Sequence, residues 1–271
     1  VITTTEQIED SEDKARVLTA IAETIGKLEN FPQADHYLAQ AITTTEQIKN
    51  SYYKAWVLTV IAQTIGKLEN LPQTEKHLAQ AITATEQIED SYDKAWALNA
   101  IAETYGKLGN FPQADHYLAQ AINSNKQIEN SFGRARVLIA IAQTISKLEN
   151  FPQADQYLTQ AITATEQIKK SFDRVRVLIT IAETIGKLEN FPQADQYLAL
   201  ATSATEQIFD SEKKAEVIIA IVQTQAKIER WRQAYNTVSK CPMDECKVES
   251  LAHILTAWAE KKNPILKSAE E

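Results

Sequence analysis

The sequence has few of the residues that cross-link small domains or interrupt helices. Its 271 residues include 2 cysteines, 1 methionine, 6 glycines and 7 prolines. Two cysteines, Cys241 and Cys246, cannot make a disulfide framework, and we expect two free thiols, with a local disulfide as the alternative. A zinc site would need further ligands, and none is evident near these two cysteines.

The chain also has no excess of positive charge and no long apolar run. Its formal net charge is −8, whereas non-specific nucleic-acid binding depends on many Lys and Arg contacts with phosphates. No segment approaches the roughly 18 apolar residues that indicate a membrane span, and the N-terminal residues lack the order of a signal peptide. We therefore expect no nucleic-acid partner, no membrane partner and a cytoplasmic location.

Internal repetition is the main positive signal. The chain is 44% hydrophobic and 24% charged, as folded proteins usually are. Serine, lysine and glutamine recur in steps of 40 residues, and a proline column holds for five units until Arg232 replaces it. The serine column consists of Ser11, Ser51, Ser91, Ser131, Ser171 and Ser211. Such regular phasing indicates an array of repeated units.

Each unit has the pattern of a helical hairpin. In the third unit, apolar residues at helical spacing predict a first helix over about 92–108, with Ser91 as its N-cap. Asn110 can cap a second helix, and Pro112 lies in the first turn of that helix, where a missing N–H group is tolerated. The second helix is predicted to continue to about Ile128. Because the connection is short, the two helices are expected to be antiparallel, and stacked hairpins to bury one another.

The apolar spacing resembles that of the tetratricopeptide repeat. The pattern W-x2-L-G-x2-Y, then A-x3-F, then A, is echoed by Leu98, Ile101, Ala102, Tyr105, Ala114, Leu118 and Ala121. This chain has Leu for Trp, Ala for Gly, no closing Pro, and about six residues more than the family's 34. The additional Thr-Glu-Gln-Ile segments at 85–88 and 165–168 are predicted to extend the second helix. HEAT-type and armadillo-type repeats have similar periods, but the alanine positions favour the tetratricopeptide type.

The resemblance implies an all-α fold, a right-handed α-solenoid with about 13 to 14 helices. A single solenoid is expected over 1–271, with repeats at 11–50, 51–90, 91–130, 131–170, 171–210 and 211–243. Residues 1–10 match the end of a second helix, so we expect a fragment of a longer array. The apolar face of a C-terminal capping helix over 244–262 is expected to consist of Val248, Leu251, Ile254, Leu255 and Trp258. Residues 263–271 are expected to be a tail.

No pattern for catalysis or metal binding is evident. The sequence lacks a glycine-rich phosphate loop, a nucleophile elbow and a zinc-spaced set of Cys and His residues. His36 and His116 lie two hairpins apart, too far to hold one metal ion. We predict that the protein is not an enzyme and has no cofactor and no metal.

One variable column of the first helices is the candidate binding site. In tetratricopeptide arrays the first helix lines the concave face, so the resemblance implies that one stripe of this helix meets the ligand. Here that stripe holds Arg16, Trp56, Trp96, Arg136, Arg176 and Glu216. A purely structural column would not exchange Trp for Arg between near-identical units, and both residues are enriched in interface hot spots.

Polar residues beside this column are expected to add contacts with the ligand. They are Thr19, Thr59 and Asn99, together with Glu103 and Lys107. The last two belong to a ladder of Glu or Gln four residues before Lys, which either stabilises a solvated face or lines the binding surface.

The resemblance implies a non-catalytic scaffold that binds a protein or peptide ligand on the concave surface of its first helices. The expected ligand is an extended peptide or helix with an apolar anchor and acidic neighbours. The alternative is the ligand-sensing arm of a larger multidomain signalling protein, linked to an ATPase or a protease. Further N-terminal repeats or domains of the parent chain are another class of partner that the sequence leaves open.

Overall fold

The computed structural model describes residues 8–27, 31–67 and 71–262, which form thirteen α-helices, one 3₁₀ turn and no strand. The first helices of the units are α1 (Ser11–Lys27), α3 (Ser51–Lys67), α5 (Ser91–Lys107), α7 (Ser131–Lys147), α9 (Ser171–Lys187) and α11 (Ser211–Lys227). The second helices are α2 (Phe31–Thr45), α4 (Leu71–Glu86), α6 (Phe111–Lys126), α8 (Phe151–Glu166), α10 (Phe191–Ala204) and α12 (Trp231–Val238), and α13 (Asp244–Lys262) follows. The predicted all-α fold of tetratricopeptide-like hairpins is confirmed.

The chain forms two compact bodies, each of which contains several helical hairpins, and these bodies are called unit 1 and unit 2 below. Unit 1 comprises Val1–Ile128 and Thr144–Gln153, and unit 2 comprises Glu129–Gln143 and Ala154–Glu271. Within unit 1, α1 packs against α2 of its own hairpin and against α3, and α3 packs in the same way against α4 and α5. Within unit 2, α9 packs against α10 and α11, and α11 packs against α12 and α13. The division of a single solenoid into 40-residue repeats stays a prediction. Of residues 1–10, predicted as the end of a second helix, 8–10 are described and are not helical, whereas 1–7 and the tail predicted at 263–271 lie outside the described residues.

Small residues allow the helices to pack closely. Ala102 in α5 and Ala114 and Ala121 in α6 are completely buried, which agrees with the close approach predicted for these positions. Glycine serves the same purpose between neighbouring hairpins of unit 2. A methyl group at Gly186 would lie 2.7 Å from Cγ2 of Ile228, closer than two carbon atoms can pack. Residues without bulk therefore occur where one helix meets the next.

The start of α5 corrects one detail of the predicted hairpin. Asp90, rather than Ser91, is the N-cap, and its carboxylate accepts a hydrogen bond of 2.9 Å from the backbone N–H of Asp93. Ser91 is the first helical residue, and its hydroxyl donates to Oε1 of Gln127 at 3.3 Å. The same bond closes three other hairpins, at Ser11–Gln47, Ser131–Gln167 and Ser171–Gln207. The serine and glutamine columns thus join the start and the end of one hairpin.

The second helices begin as predicted and end slightly earlier. Asn110 caps α6, and Pro112 lies in its first turn. The predicted extension of these helices is half correct, since α4 ends at Glu86 and α8 ends at Glu166. The Gln and Ile of each Thr-Glu-Gln-Ile segment instead turn the chain toward the next first helix.

Several first helices are followed, two residues after their last residue, by a residue with left-handed backbone geometry. Its φ is 74° at Gly109 but 61° at Glu149, 61° at Glu189 and 64° at Glu229. At Glu189 this geometry allows the next N–H, that of Asn190, to donate to the carbonyl of Ile185 at 3.2 Å. Such a bond satisfies a helix-terminal carbonyl, and glycine is the residue that best adopts the conformation.

The structure corrects two expectations about the C-terminal segment. Cys241 and Cys246 are joined by a disulfide, with their Cα atoms 5.6 Å apart, so they are not free thiols. Both cysteines are buried in a cluster with Ala215, Ile218 and residues of α12. The disulfide therefore fixes the turn between α12 and α13 inside the core of unit 2.

The second correction concerns the face of α13 that packs against the array. The sequence assigned this face to Val248, Leu251, Ile254, Leu255 and Trp258. In the structure α13 packs through Cys246 and Ile254, and the other four residues of the predicted set are exposed. Across the part of the chain that the structure describes, no helix is both long and apolar enough to cross a membrane.

Candidate functional site

The variable column of the first helices lies at the surface of both units. Arg16, Arg136, Arg176 and Glu216 are exposed, and Trp56 and Trp96 are half-buried. The leucines two residues later in the sequence, such as Leu58 and Leu98, are buried in the core. The column and the core therefore occupy different faces of the same helices.

In unit 1 the column borders a groove between α1 and α3. The groove has a volume of about 630 Å³, and its apolar walls include Ile8, Val17, Ala20, Trp56, Val57 and Val60. The guanidinium carbon of Arg16 lies over the indole of Trp56, 5.2 Å from the ring centroid. A cation above an aromatic face is attracted by the ring quadrupole, so this contact orders both side chains across the groove. Asp13 and Glu23 also line the groove, and Arg16 lies 3.8 Å from the Asp13 carboxylate, so an apolar ligand side chain could enter here beside charges of both signs.

Trp96 occupies the equivalent position on α5. Its ring meets Tyr92, one helical turn earlier, edge to face, with ring centroids 6.2 Å apart and an interplanar angle of 69°. Aromatic pairs prefer this geometry. Trp96 is therefore held by its own helix and remains half-buried.

In unit 2 the column borders a groove formed by α7, α9 and α11. Its volume is about 280 Å³, and its lining includes Phe132, Arg136, Arg176, Val177, Thr180 and Glu216. Arg136 lies over the ring of Phe132, and Arg176 lies over that of Phe172, each at 5.6 Å from the ring centroid. Stacking orders these arginines before any ligand binds, which reduces the entropy lost on binding.

The supporting aromatic residues were not identified from the sequence. Tyr92, Phe132 and Phe172 each contact the column residue four positions later, and Tyr52 occupies the equivalent position in its repeat. The spacing of four residues was a usable signal, because side chains at i and i+4 lie side by side on a helix.

Three of the polar residues that were predicted to contact the ligand are largely buried, although Thr19 also lines the groove of unit 1. Thr19, Thr59 and Asn99 are all buried. The hydroxyls of Thr19 and Thr59 each donate a hydrogen bond of 2.7 Å to the carbonyl four residues earlier, at Ala15 and Ala55. The hydroxyl protons of both threonines are thus donated within their own helices.

The ladder of Glu or Gln and Lys joins neighbouring hairpins. Oε1 of Glu103 lies 3.0 Å from Nζ of Lys107 in the same helix and 2.7 Å from Nζ of Lys147 in the next first helix. Burial would raise the pKa of the Glu103 carboxyl, but the hydrogen bonds from both lysines outweigh it, so the pKa lies below the ordinary value of 4.5. Glu103 and Lys107 therefore contribute to packing between units of the repeat.

Where the ladder has glutamine, a different bond makes the same connection. Nε2 of Gln63 donates to Oγ1 of Thr104 at 2.8 Å, and Nε2 of Gln143 donates to Oγ1 of Thr184, also at 2.8 Å. Both glutamines are followed 41 residues later by the accepting threonine. Carboxylate and amide side chains thus connect successive first helices by two related arrangements.

Metal-ligating side chains do not cluster in the described ranges. Within 8–27, 31–67 and 71–262, no three His, Cys, Asp or Glu residues are placed to hold a metal ion. The two grooves instead combine apolar walls with arginines that lie over aromatic rings and with the carboxylates of Asp13, Glu23 and Glu216.

The antiparallel hairpins define a helical repeat protein. A family model described as tetratricopeptide repeat matches residues 53–127, from the first turn of α3 to the residue after α6. The resemblance inferred from the sequence is confirmed by this match. Tetratricopeptide repeats generally mediate protein–protein interactions and are generally non-catalytic.

One solved structure is similar over most of its length. The crystal structure of Ton1535 from Thermococcus onnurineus NA1 covers 93% of this chain and 93% of its own, with 14% identity and a TM-score of 0.45. A likeness at this level supports no conclusion about function. No curated protein matches the chain significantly.

Proposed function

We propose that the chain is a non-catalytic, cytoplasmic scaffold that binds a protein or peptide through the exposed column of its first helices. The observation that carries this proposal is the contact of Arg16 with Trp56 beside a largely apolar groove of about 630 Å³. The groove can bury an apolar anchor, and a ligand carboxylate beside that anchor can replace Asp13, which lies 3.8 Å from the Arg16 guanidinium. Nucleic acid and membranes are not expected as partners, because the net charge of −8 disfavours anionic surfaces.

The groove of unit 2 supports the same ligand chemistry. The guanidinium groups of Arg136 and Arg176 lie over phenylalanine rings, and both arginines border a groove whose apolar lining includes Val177. The set of site residues predicted from the sequence also includes Trp96, Thr19, Thr59, Asn99, Glu103 and Lys107. Of these, we retain Trp96 and also Thr19, which lines the groove of unit 1, and assign the others to packing.

A random library of 12-residue peptides, selected on the immobilised chain, is the probe that tests this function. Enriched peptides are expected to combine an aromatic or aliphatic residue with Asp or Glu. Replacing Trp56 and Trp96 by Ala is expected to weaken the best peptide at least about tenfold, or about 1.4 kcal/mol, by titration calorimetry.

Two comparisons make this test decisive. The matched control is Phe209→Ala, which removes an aromatic side chain that is 96% exposed and lies outside both grooves. It is expected to leave peptide affinity and helicity unchanged. Peptides that bind the double tryptophan variant as well as the original chain, or a library that yields no binding peptide, would refute the proposal.

A further inference from the structure

The last helix presents an apolar face that none of the described residues of unit 2 covers. Val248, Leu251, Leu255 and Trp258 are 68%, 37%, 65% and 51% exposed. Isolated exposed apolar residues are common on proteins, but a contiguous row of large ones indicates an interaction site. We call these four residues the α13 stripe.

The spacing of the α13 stripe is that of a helix-pairing seam. Its members are separated by three, four and three residues, which is the a and d pattern of a heptad repeat. The opposite face of α13 is already packed, since Cys246 and Ser250 are buried. The helix thus contacts the array with one face and offers a second, more apolar face to solvent.

The sequence of α13 is complementary to itself when it is reversed. In an antiparallel pair of two such helices, Val248 would lie opposite Trp258, and Leu251 would lie opposite Leu255. Each contact would occur twice, because a two-fold axis makes the interface isologous. Ala252 and Ala259 flank the seam on one side, and their small side chains allow close approach of the two helices.

The charges at the two ends of α13 fit the same register. Acidic residues occur in its first turn and basic residues in its last turn, and Asp244 and Lys262 continue the heptad positions of the stripe. Reversal of one helix places Asp244 opposite Lys262 at both ends of the seam. The carboxylate of Asp244 forms an ion pair of 2.8 Å with Lys247, but its side chain is 90% exposed and remains accessible.

We propose that two copies of this chain associate through the α13 stripe as an antiparallel, two-fold symmetric helix pair. A helix of 19 residues is about 28 Å long, so the contact is smaller than a standard interface of about 1,600 Å². The dimer is therefore weak and reversible. It uses α13 alone and is independent of the grooves on the first helices.

The first test measures the molar mass of the full 271-residue chain by light scattering and sedimentation velocity. At about 100 μM the mass is expected to approach twice the 30.4 kDa of one chain, and at about 1 μM to fall toward a single copy. Leu255→Glu is expected to abolish the dimer without loss of helicity, because Leu255 is largely exposed. Phe209→Glu is the matched control and should dimerise normally. A wild-type chain that stays monomeric at about 100 μM overturns the proposal.

The second test addresses the antiparallel register through the end charges. Asp244→Lys and Lys262→Asp each create like-charge contacts at both ends and are expected to weaken the dimer about tenfold. The double variant restores opposite charges and is expected to regain most of the affinity. The native charges at the ends of α13 also interact favourably with the helix dipole. If Asp244 and Lys262 acted only through that dipole, the double variant would form the weakest dimer. Failure of the double variant to recover would therefore exclude this register.

Discussion

The carboxylate of Glu103 in one hairpin accepts a hydrogen bond of 2.7 Å from the ammonium group of Lys147 in the next. Lys107 approaches the same carboxylate oxygen at 3.0 Å, so one acidic group joins two first helices. The glutamines at 63 and 143 make the equivalent connection to threonine. The side-chain contact between neighbouring hairpins can therefore be an ion pair or a neutral hydrogen bond.

Glu103 is expected to make stability depend on pH. Its folded-state pKa lies below the ordinary value of 4.5, so the stabilisation is fully present above that pH and is lost as the pH falls through the folded pKa. Glu103→Ala is expected to lower the free energy of unfolding by about 1 kcal/mol at pH 7 and by less at acid pH. Urea unfolding across this pH range measures the difference.

The control for this prediction is Glu103→Gln. Glutamine at this position can donate to Thr144, as the glutamines of two other units do to their threonines, so its stability at pH 7 should be close to wild type. Its unfolding should also lose the pH dependence assigned to the carboxylate. Equal pH dependence in wild type and Glu103→Gln would contradict the assignment.

Replacing a left-handed glutamate with glycine is expected to stabilise the chain. Glu189 has a φ of 61°, a conformation that costs a non-glycine residue about 1 kcal/mol, partly offset by the entropy of glycine in the unfolded state. We expect Glu189→Gly to raise the free energy of unfolding by about 0.5 kcal/mol. Gly109→Glu should act in the opposite direction. Identical denaturation midpoints for both variants would argue against backbone strain.

The start of α9 offers a second stabilising change. Lys170 occupies its N-cap position without a side-chain bond to the helix, whereas Asp210 caps α11 by accepting from the N–H of Lys213 at 3.0 Å. Lys170→Asp is expected to add about 1 kcal/mol of stability, since it satisfies a free N–H group and complements the helix dipole. Lys169→Asp changes the charge equally at the adjacent position and should gain much less. Thermal unfolding compares the two, and equal gains would indicate a general charge effect.

The disulfide between Cys241 and Cys246 is expected to stabilise unit 2. Closing so short a loop contributes about 2 kcal/mol in the chain-entropy description. Adding a reductant should therefore lower the melting temperature of the wild type but not that of a double Cys→Ser variant. Disulfides persist chiefly in oxidising compartments, so this bond fits poorly with the cytoplasmic location that we propose. A melting temperature insensitive to reductant would show that the bond contributes nothing to stability.

Removal of one whole period tests the assignment of 40-residue repeats. Deleting residues 51–90 is expected to leave a folded helical protein, because each hairpin contacts only its neighbours and the joint positions recur. Deleting 71–90 alone removes a second helix and exposes the core of its hairpin, so this control should lose cooperative unfolding. Circular dichroism during urea unfolding distinguishes the two products. An unfolded product from the whole-period deletion would contradict the repeat boundaries.

The sequence predicts the hairpins well because the residues that determine them are local. Helical spacing, Asn110 as a cap and Pro112 in a first turn require no knowledge of distant contacts. The polar site residues were harder to predict, because a threonine such as Thr59 can be buried once its hydroxyl bonds to its own helix. The packing face of α13 depends on how the turn at Cys241 directs the helix, and hydrophobic periodicity carries no such information.

The hydrogen bonds that close and join the hairpins also bear on how the chain folds. The serine–glutamine bond spans 36 residues, the glutamine–threonine bond 41 and the lysine–glutamate bond 44. These separations are set by the repeat period, so they stay constant as hairpins are added while the chain grows longer. Relative contact order therefore falls with the number of hairpins, and proteins with low contact order fold fast. Folding of this array can start at any complete hairpin pair and spread in either direction, so its rate is governed by neighbouring helices rather than by total length.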